Sequence, residues 1–201
     1  MSSEISAAQV KELREQTGAG LMECKKALGQ AEGNIEKAKE ILRLSGIHSA
    51  GKKAGRETRE GLIGSYVHHN GKIGVLVEVN CETDFVARTE DFQALIRDIA
   101  MHIAAMSPTY VSREEVPKEI KEKELSLIRG EMGEQLAKKP LPVQEKILDG
   151  KMVKFYAERC LLDQPFCKDD SKTVGELVKE TIGKLGENMQ VRRFHRIEVG
   201  G

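Results

Sequence analysis

The chain has 201 residues, of which 39% are apolar, enough to form the core of one sizeable domain and of a small one. Lys and Arg together number 32, as do Asp and Glu, so the formal net charge is zero and no overall field draws the chain to nucleic acid. Only 4% of the residues are aromatic and none is Trp, which leaves few platforms for stacking on bases. We therefore expect no direct contact with nucleic acid.

The sequence shows no targeting or membrane signal. Residues 1–10, MSSEISAAQV, contain no basic stretch followed by an apolar run, and nowhere do about 18 apolar residues follow one another. The four cysteines form no C-x-x-C pair, and scattered reduced thiols are typical of a cytoplasm. We predict a cytoplasmic protein with no membrane contact, no metal site and no cofactor.

Residues 1–45 are predicted to form a module of three short helices. Ser6 and Gln9 fit a capping box, and Gly18-Ala19-Gly20 supplies residues at which a helix stops, so the first helix spans residues 7–17. The second helix is indicated by the helical spacing of Leu21, Cys24 and Leu28, and the third by Asn34 as its cap before Ile35, Ala38, Ile41 and Leu42.

Residues 46–61 are predicted to form a basic linker, a mobile or helical tether, because they are poor in apolar side chains and rich in Gly, Lys and Arg. Part of this stretch, residues 46–53, fits the phosphate-binding pattern G-x-x-x-x-G-K. However, Lys53 replaces the hydroxyl that binds Mg²⁺, and a helix rather than a strand precedes the pattern. We therefore predict that the chain is not itself a nucleotide hydrolase.

Residues 62–201 are predicted to form an α+β core domain, in which helices pack on an antiparallel sheet. Alternating residues from Leu62 and a turn at His69-Asn70-Gly71 indicate a β-hairpin. A helix at residues 90–106 is expected to cover one face of the sheet. Further helices are predicted at residues 114–129, 143–162 and 173–185, and a last strand at residues 189–199.

Two long segments carry a family resemblance. Residues 13–28 read LREQTGAGLMECKKAL and residues 78–88 read EVNCETDFVAR, and both resemble the characteristic motifs of the elongation factor Ts family. The resemblance continues through residues 61–80, 101–108, 164–166 and 185–194, and it corresponds to the short bacterial type with a single core unit.

The resemblance implies both a function and a partner. It implies a nucleotide exchange factor without covalent chemistry, in which a ubiquitin-associated-like three-helix module grips elongation factor Tu. The factor would bind elongation factor Tu with GDP, displace Mg²⁺ and GDP, and leave when GTP enters. Because the short type has one core unit, we predict a homodimer through the core sheet and a complex of two factors with two GTPases.

The resemblance places the exchange site at Thr83-Asp84-Phe85-Val86. Phe85 would enter between helices of the GTPase, while the carboxylate of Asp84 helps to displace the elements that hold magnesium. The alternative is that Phe85 belongs to the core and that Asp84 caps the following helix. Packing also remains the favoured role for Val86 and for Cys81.

The remaining partner contacts implied by the resemblance are more loosely specified. We expect one of Leu21 and Met22 to lie in the core and the other at the interface. His68 matches a family contact, although His69 or the turn could take that position instead. The alternative for His68 is an exposed histidine with no role, and the alternative for Leu185 is a place in the core. The residues assigned to elongation factor Tu outside the exchange site are Leu13, Gly18, Ala19, Gly20, Leu21, Met22, Lys25, His68 and Leu185.

Two other functions compete with this interpretation. Metal-dependent hydrolysis would use His68, His69, His102 and the cysteines, but no pair has the i, i+3 or i, i+4 spacing of helical ligands. A generic helix-binding adaptor would use the three-helix module, with Arg192, Arg193 and Arg196 touching ribosomal RNA. That function leaves the segment TDFV without a role.

Overall fold

The protein is described from a computed structural model, and the described residues are 5–200. Residues 1–4 and 201, which belong to the predicted module and core domain, lie outside them. The helices are α1 (Ala7–Thr17), α2 (Leu21–Gln30), α3 (Ile35–Lys53), α4 (Asp84–Ala87), α5 (Glu90–Met106), α6 (Lys118–Ala137), α7 (Leu141–Arg159) and α8 (Val174–Leu185). The strands are β1 (Glu60–Val67), β2 (Ile73–Cys81), β3 (Pro165–Phe166), β4 (Asp169–Thr173) and β5 (Met189–Glu198).

The predicted α+β class is confirmed. Strands β1, β2 and β5 form a three-stranded sheet in the order β1-β2-β5, and β3 and β4 form a separate antiparallel pair. The β3–β4 pair was not predicted, since its strands are short and Asp169–Thr173 has no apolar alternation. Among residues 5–200, no helix is long and apolar enough to cross a lipid bilayer.

The chain groups into two compact units. The first comprises the chain up to Gly64, together with Val77–Asp98 and Glu176–Arg192. The second comprises Ser65–Leu76, Ile99–Gly175 and the chain from Arg193. This grouping differs from the predicted division into 1–45, 46–61 and 62–201, which stays a prediction.

The three N-terminal helices form a small core in the first unit. The predicted capping box of α1 is present: Gln9 N–H donates to the Ser6 hydroxyl at 3.2 Å, and Ser6 N–H donates to the Gln9 side chain at 3.0 Å. Asn34 caps α3 as predicted, accepting the N–H of Lys37 at 2.9 Å. The buried residues of this core are Val10, Leu13, Cys24, Ala27, Leu28, Ala31 and Ala38.

Helix α3 is longer than the predicted module allowed. It continues through residues 46–53, so the glycines at positions 46 and 51 are helical and do not form a phosphate-binding loop. This extension lets α3 pack on α8 within the first unit. A Cβ added to Gly183 would lie 2.5 Å from the Cα of Gly46, so the two backbones approach closely.

Helix α5 has the predicted bounds and packs against the sheet. Gly64 of β1 leaves space for its side chains: a Cβ at that position would lie 2.0 Å from Cγ2 of Ile96 and 3.6 Å from Val77. Phe92 on α5 is fully buried. The expectation that this helix covers one face of the sheet agrees with these contacts.

The second unit contains a helical pair, α6 and α7, with its own cluster of buried residues, Ile128, Leu136, Leu148 and Met152. The predicted start of α6 at residue 114 is wrong. Residues 113–115 form a 3₁₀ turn, and α6 begins after Pro117, whose extended backbone cannot continue a helix from residue 114. Helix α7 lies at 141–159 rather than 143–162, because Cys160 adopts an extended conformation.

His102 lies fully buried in the second unit. Its Nε2 and the Gln164 side-chain oxygen are 3.0 Å apart, and its Nδ1 accepts the N–H of Cys167 at 3.2 Å. Burial lowers the pKa of His102, which favours the neutral ring that this pair of contacts requires. Both ring nitrogens are therefore used within the fold.

The close approach of α3 and α8 gives a stability prediction. Replacing Gly183 with Ala places a methyl group against the backbone of Gly46, so we expect the free energy of unfolding to fall by about 1–3 kcal/mol. Gly150 of α7 is the matched control, because a Cβ there meets nothing within 4 Å. Gly150→Ala should stabilise by up to about 1 kcal/mol through helix propensity alone. Urea unfolding of both variants tests this, and equal stabilisation of the two would contradict the close packing.

Candidate partner-binding surface

The segment Thr83–Val86 forms a turn that follows β2 after Glu82, and we call it the projecting turn. Its last three residues begin the single-turn helix α4, and Thr83 is the N-cap, accepting the Val86 N–H at 3.4 Å. The Phe85 side chain is 79% exposed, which overturns the alternative that it belongs to the core. A large aromatic side chain held in water is typical of a binding surface.

Asp84 does not act as a helix cap, since Thr83 has that role for α4 and Thr89 accepts the N–H of Phe92 at the start of α5. The Asp84 carboxylate instead accepts a hydrogen bond from the exposed Arg88 guanidinium at 2.7 Å. An exposed ion pair of this kind contributes little to folding and can be exchanged for a partner group.

Val86 is only 8% exposed, so the prediction that it touches a partner directly conflicts with its burial. Its burial fits the packing role that the sequence favoured for it. Cys81 is fully buried at the end of β2, and its thiol donates to the Thr83 carbonyl at 3.1 Å. Burial, together with the nearby Glu187 carboxylate, raises the pKa of this thiol to about 11. These two residues support the turn from inside.

The residues after α8 hold the projecting turn from the other side. The Glu187 carboxylate accepts the Thr83 N–H at 3.0 Å and the Thr83 hydroxyl at 2.6 Å. The Asn188 N–H donates to Glu82 at 2.6 Å. This hydrogen bond lowers the pKa of Glu82, and Arg56 contributes to the same effect. The turn is therefore fixed by residues more than 100 positions away in the chain.

Sequence reasoning missed Glu82, Glu187 and Asn188. It named the segment 185–194 for its family resemblance but assigned a role only to Leu185, which is half-buried at the end of α8. A usable signal was the adjacent polar pair Glu187-Asn188 between a helix-ending Gly186 and the apolar start of β5. Asn188 is buried, and a buried amide needs hydrogen-bond partners.

A second exposed patch lies at the turn between α1 and α2. Leu21 and Met22 are 55% and 73% exposed, so the expectation that one of them lies in the core is wrong. Cys24, Ala27 and Leu28 fill the core on the opposite side of α2. Lys25 and Gly20 are exposed, and Ala19 is half-buried against the core.

Gly18 and Leu13 support this patch. Gly18 ends α1 in the left-handed conformation (φ 68°), and the Lys184 side chain lies so close that a Cβ on Gly18 would be 2.1 Å from its Cε. Lys184 also pairs with Asp91 at 2.7 Å. Leu13 is fully buried, so its predicted direct contact with a partner is not compatible with this conformation.

His68 lies at the end of β1 in the second unit. It is half-buried, and its Nδ1 is 3.1 Å from the Tyr66 hydroxyl, whereas His69 is exposed. The turn spans residues 68–71, with the Gly71 N–H donating to the His68 carbonyl at 2.7 Å. The predicted partner contact of His68 stays a prediction.

Comparison with known proteins decides the family. A sequence profile of the family described as "Elongation factor TS" matches residues 3–200. The chain belongs to the elongation factor Ts family. Relatives named elongation factor Ts include one from Fervidobacterium nodosum, 58% identical over 197 residues that cover 98% of this chain and 99% of the relative. The relative from Thermosipho melanesiensis is 59% identical, covering 98% of this chain and 99% of its own; that from Koribacter versatilis is 60% identical, covering 98% and 89%.

Family membership places the protein in translation elongation. It also removes the generic adaptor from consideration. The other competing function, metal-dependent hydrolysis, would need a cluster of metal ligands. Among the described residues, no group of three or more His, Cys, Asp and Glu is arranged to hold a metal ion. Of the arginines named as RNA contacts, Arg196 hydrogen-bonds to the Ala104 carbonyl and pairs with Glu198 at 2.7 Å.

The exposure of Phe85 gives a second prediction. Because its ring lies in water, Phe85→Ala should change the free energy of unfolding by less than about 0.5 kcal/mol. Phe92→Ala is the matched comparison, since that ring is fully buried and its loss should cost about 3–5 kcal/mol. Urea unfolding measures both. A large loss in Phe85→Ala would show that its ring packs against the protein.

Proposed function

We propose that the chain is a guanine nucleotide exchange factor for elongation factor Tu, and that it acts without covalent chemistry in the cytoplasm. It binds elongation factor Tu with GDP, releases Mg²⁺ and GDP, and is displaced when GTP binds. The observation that carries this proposal is the projecting turn: an exposed Phe85 next to a partly exposed carboxylate, on a turn whose first residue is held by two hydrogen bonds from Glu187.

The chemistry of the nucleotide site explains why such a turn is suitable. A GTPase holds GDP through backbone amides around the phosphates and through a Mg²⁺ with oxygen ligands and strict geometry. Inserting an apolar ring between helices of the GTPase distorts this geometry. Burial of the ring contributes about 2 kcal/mol, which offsets part of the free-energy cost of the distortion. The Asp84 carboxylate would act on the elements that hold Mg²⁺.

The proposal gives separate roles to two surfaces, one for binding elongation factor Tu and one for changing its nucleotide site. The patch at Leu21 and Met22 grips elongation factor Tu, with Gly18, Ala19, Gly20 and Lys25 around it. The projecting turn changes the nucleotide site, and His68 and Leu185 add contacts of their own. Because binding is reciprocal, GDP must weaken the binding of the factor by the same ratio by which the factor weakens GDP binding.

The proposed exchange is tested by release of fluorescent GDP from elongation factor Tu. The chain should accelerate release, and Phe85→Ala should reduce the acceleration by roughly thirtyfold, as truncation of an interface aromatic typically does. Asp84→Ala should also reduce it. Leu141→Ala, a change at an exposed apolar residue of α7, should leave the rate unchanged.

Two results would count against the proposal in different ways. Full acceleration by both Phe85→Ala and Asp84→Ala would remove the projecting turn as the exchange site. No effect of the unaltered chain on GDP release would remove the exchange function itself.

We further propose that the chain forms a homodimer through its sheet and assembles with elongation factor Tu as a two-plus-two complex. In the second unit, each strand of the sheet carries an exposed apolar residue: Val67 in β1, Leu76 in β2 and Ile197 in β5. These residues alternate along the strands with more buried ones. Val199 follows β5 and is also exposed. Apolar residues on one open face of a sheet favour association.

Sedimentation at micromolar concentration tests the dimer. We expect the mass of two chains, and Leu76→Glu should shift the chain to monomers because it places a charge in the apolar face. Leu141→Glu is the control and should remain dimeric. A monomer for the unaltered chain would overturn this part of the proposal.

A further inference from the structure

Glu187 lies outside the projecting turn but contacts its first residue twice. Its two carboxylate oxygens accept the Thr83 N–H at 3.0 Å and the Thr83 hydroxyl at 2.6 Å. The same hydroxyl accepts the Val86 N–H at 3.4 Å. A continuous series of hydrogen bonds therefore runs from Glu187 through Thr83 to the first turn of α4, and charge strengthens such bonds.

Glu187 is itself well anchored. The following residue, Asn188, is buried, and its side-chain amide donates to the carbonyls of Arg56 at 2.8 Å and Ala54 at 3.4 Å. Its N–H donates to Glu82. The segment carrying Glu187 is thus tied to the chain before β1 and to the end of β2, all within the first unit.

Phe85, in contrast, has little support of its own. Its ring is 79% exposed, and α4 has only four residues, far below the length at which a helix is stable alone. Val86 and Cys81 support the turn from inside, and the direction in which the ring points also depends on how the N-cap of α4 is held. Thr83 is that N-cap, and Glu187 fixes both its backbone and its side chain.

We propose that Glu187 is a positioning residue for nucleotide exchange, which acts through Thr83 to fix the direction in which Phe85 projects. This inference rests on the proposed exchange function. Fixing the ring before binding avoids the entropic cost of ordering it in the complex. Loss of Glu187 therefore lowers the rate of nucleotide exchange. It has a smaller effect on the affinity with which the N-terminal module binds elongation factor Tu.

The experiment measures fluorescent GDP release from elongation factor Tu over a range of chain concentrations. Glu187→Ala and Thr83→Val should each lower the maximal release rate by on the order of tenfold, as expected for loss of a hydrogen bond to a charged group. The concentration giving half of the maximal rate should change much less. Combining the two changes should add little, since both remove the same contact.

Two comparisons separate positioning from a structural role. Thr83→Ser keeps the hydroxyl and should keep the rate. In a Phe85→Ala background, Glu187→Ala should cause no further loss, because Glu187 acts through that ring. Glu176→Ala is the matched control: Glu176 is also an α8-region glutamate, 4.0 Å from Arg43, and its loss should leave release unchanged.

The outcomes distinguish this inference from the proposal beneath it. If Phe85→Ala is slow but Glu187→Ala releases GDP at the full maximal rate, the positioning role is wrong and the exchange function stands. If Glu187→Ala lowers the rate further in the Phe85→Ala background, the role is structural. If Glu187→Ala fails to fold, as urea unfolding would show, Thr83→Val against Thr83→Ser decides: equal rates overturn the inference. If the unaltered chain does not accelerate release, the exchange function fails and this inference with it.

Discussion

The double hydrogen bond between Glu187 and Thr83 is the interaction on which the projecting turn depends. It joins the end of α8 to the end of β2, two places 104 positions apart in the chain. The carboxylate accepts hydrogen bonds from the Thr83 N–H and hydroxyl. A turn this short offers these donors no acceptor of its own. As a result, a strongly exposed aromatic residue sits on a backbone that is not free to rearrange.

Local signals predicted much of the fold. The capping box at Ser6, the cap at Asn34 and the left-handed Gly18 act over a few residues, so the ends of the first helices follow from them. Helix α5 was predicted with its true bounds because its apolar spacing and the preceding polar residues agree. Where competing local signals met, prediction failed: the charged stretch from residue 114 appears helical in pattern, but Pro117 determines where α6 begins.

The site was predictable only in part, for reasons that lie in burial and long-range contact. The residues alone left a buried Phe85 as the alternative, and the family resemblance pointed to an exposed one; its exposure depends on what surrounds the turn, which no local pattern encodes. Leu21 and Met22 were expected to divide between core and surface, but the small residues Cys24 and Ala27 complete the module without either. The role of Glu187 required knowing which distant segment lies against Thr83.

The packing of α3 on α8 has a mechanical consequence. Gly183 meets the backbone of Gly46, and only three residues separate Gly183 from Glu187. At this crossing the two helices meet backbone to backbone, so a displacement of α3 passes directly to the end of α8. In the proposed exchange, the patch at Leu21 and Met22 and the projecting turn are thereby linked through one short stretch of backbone.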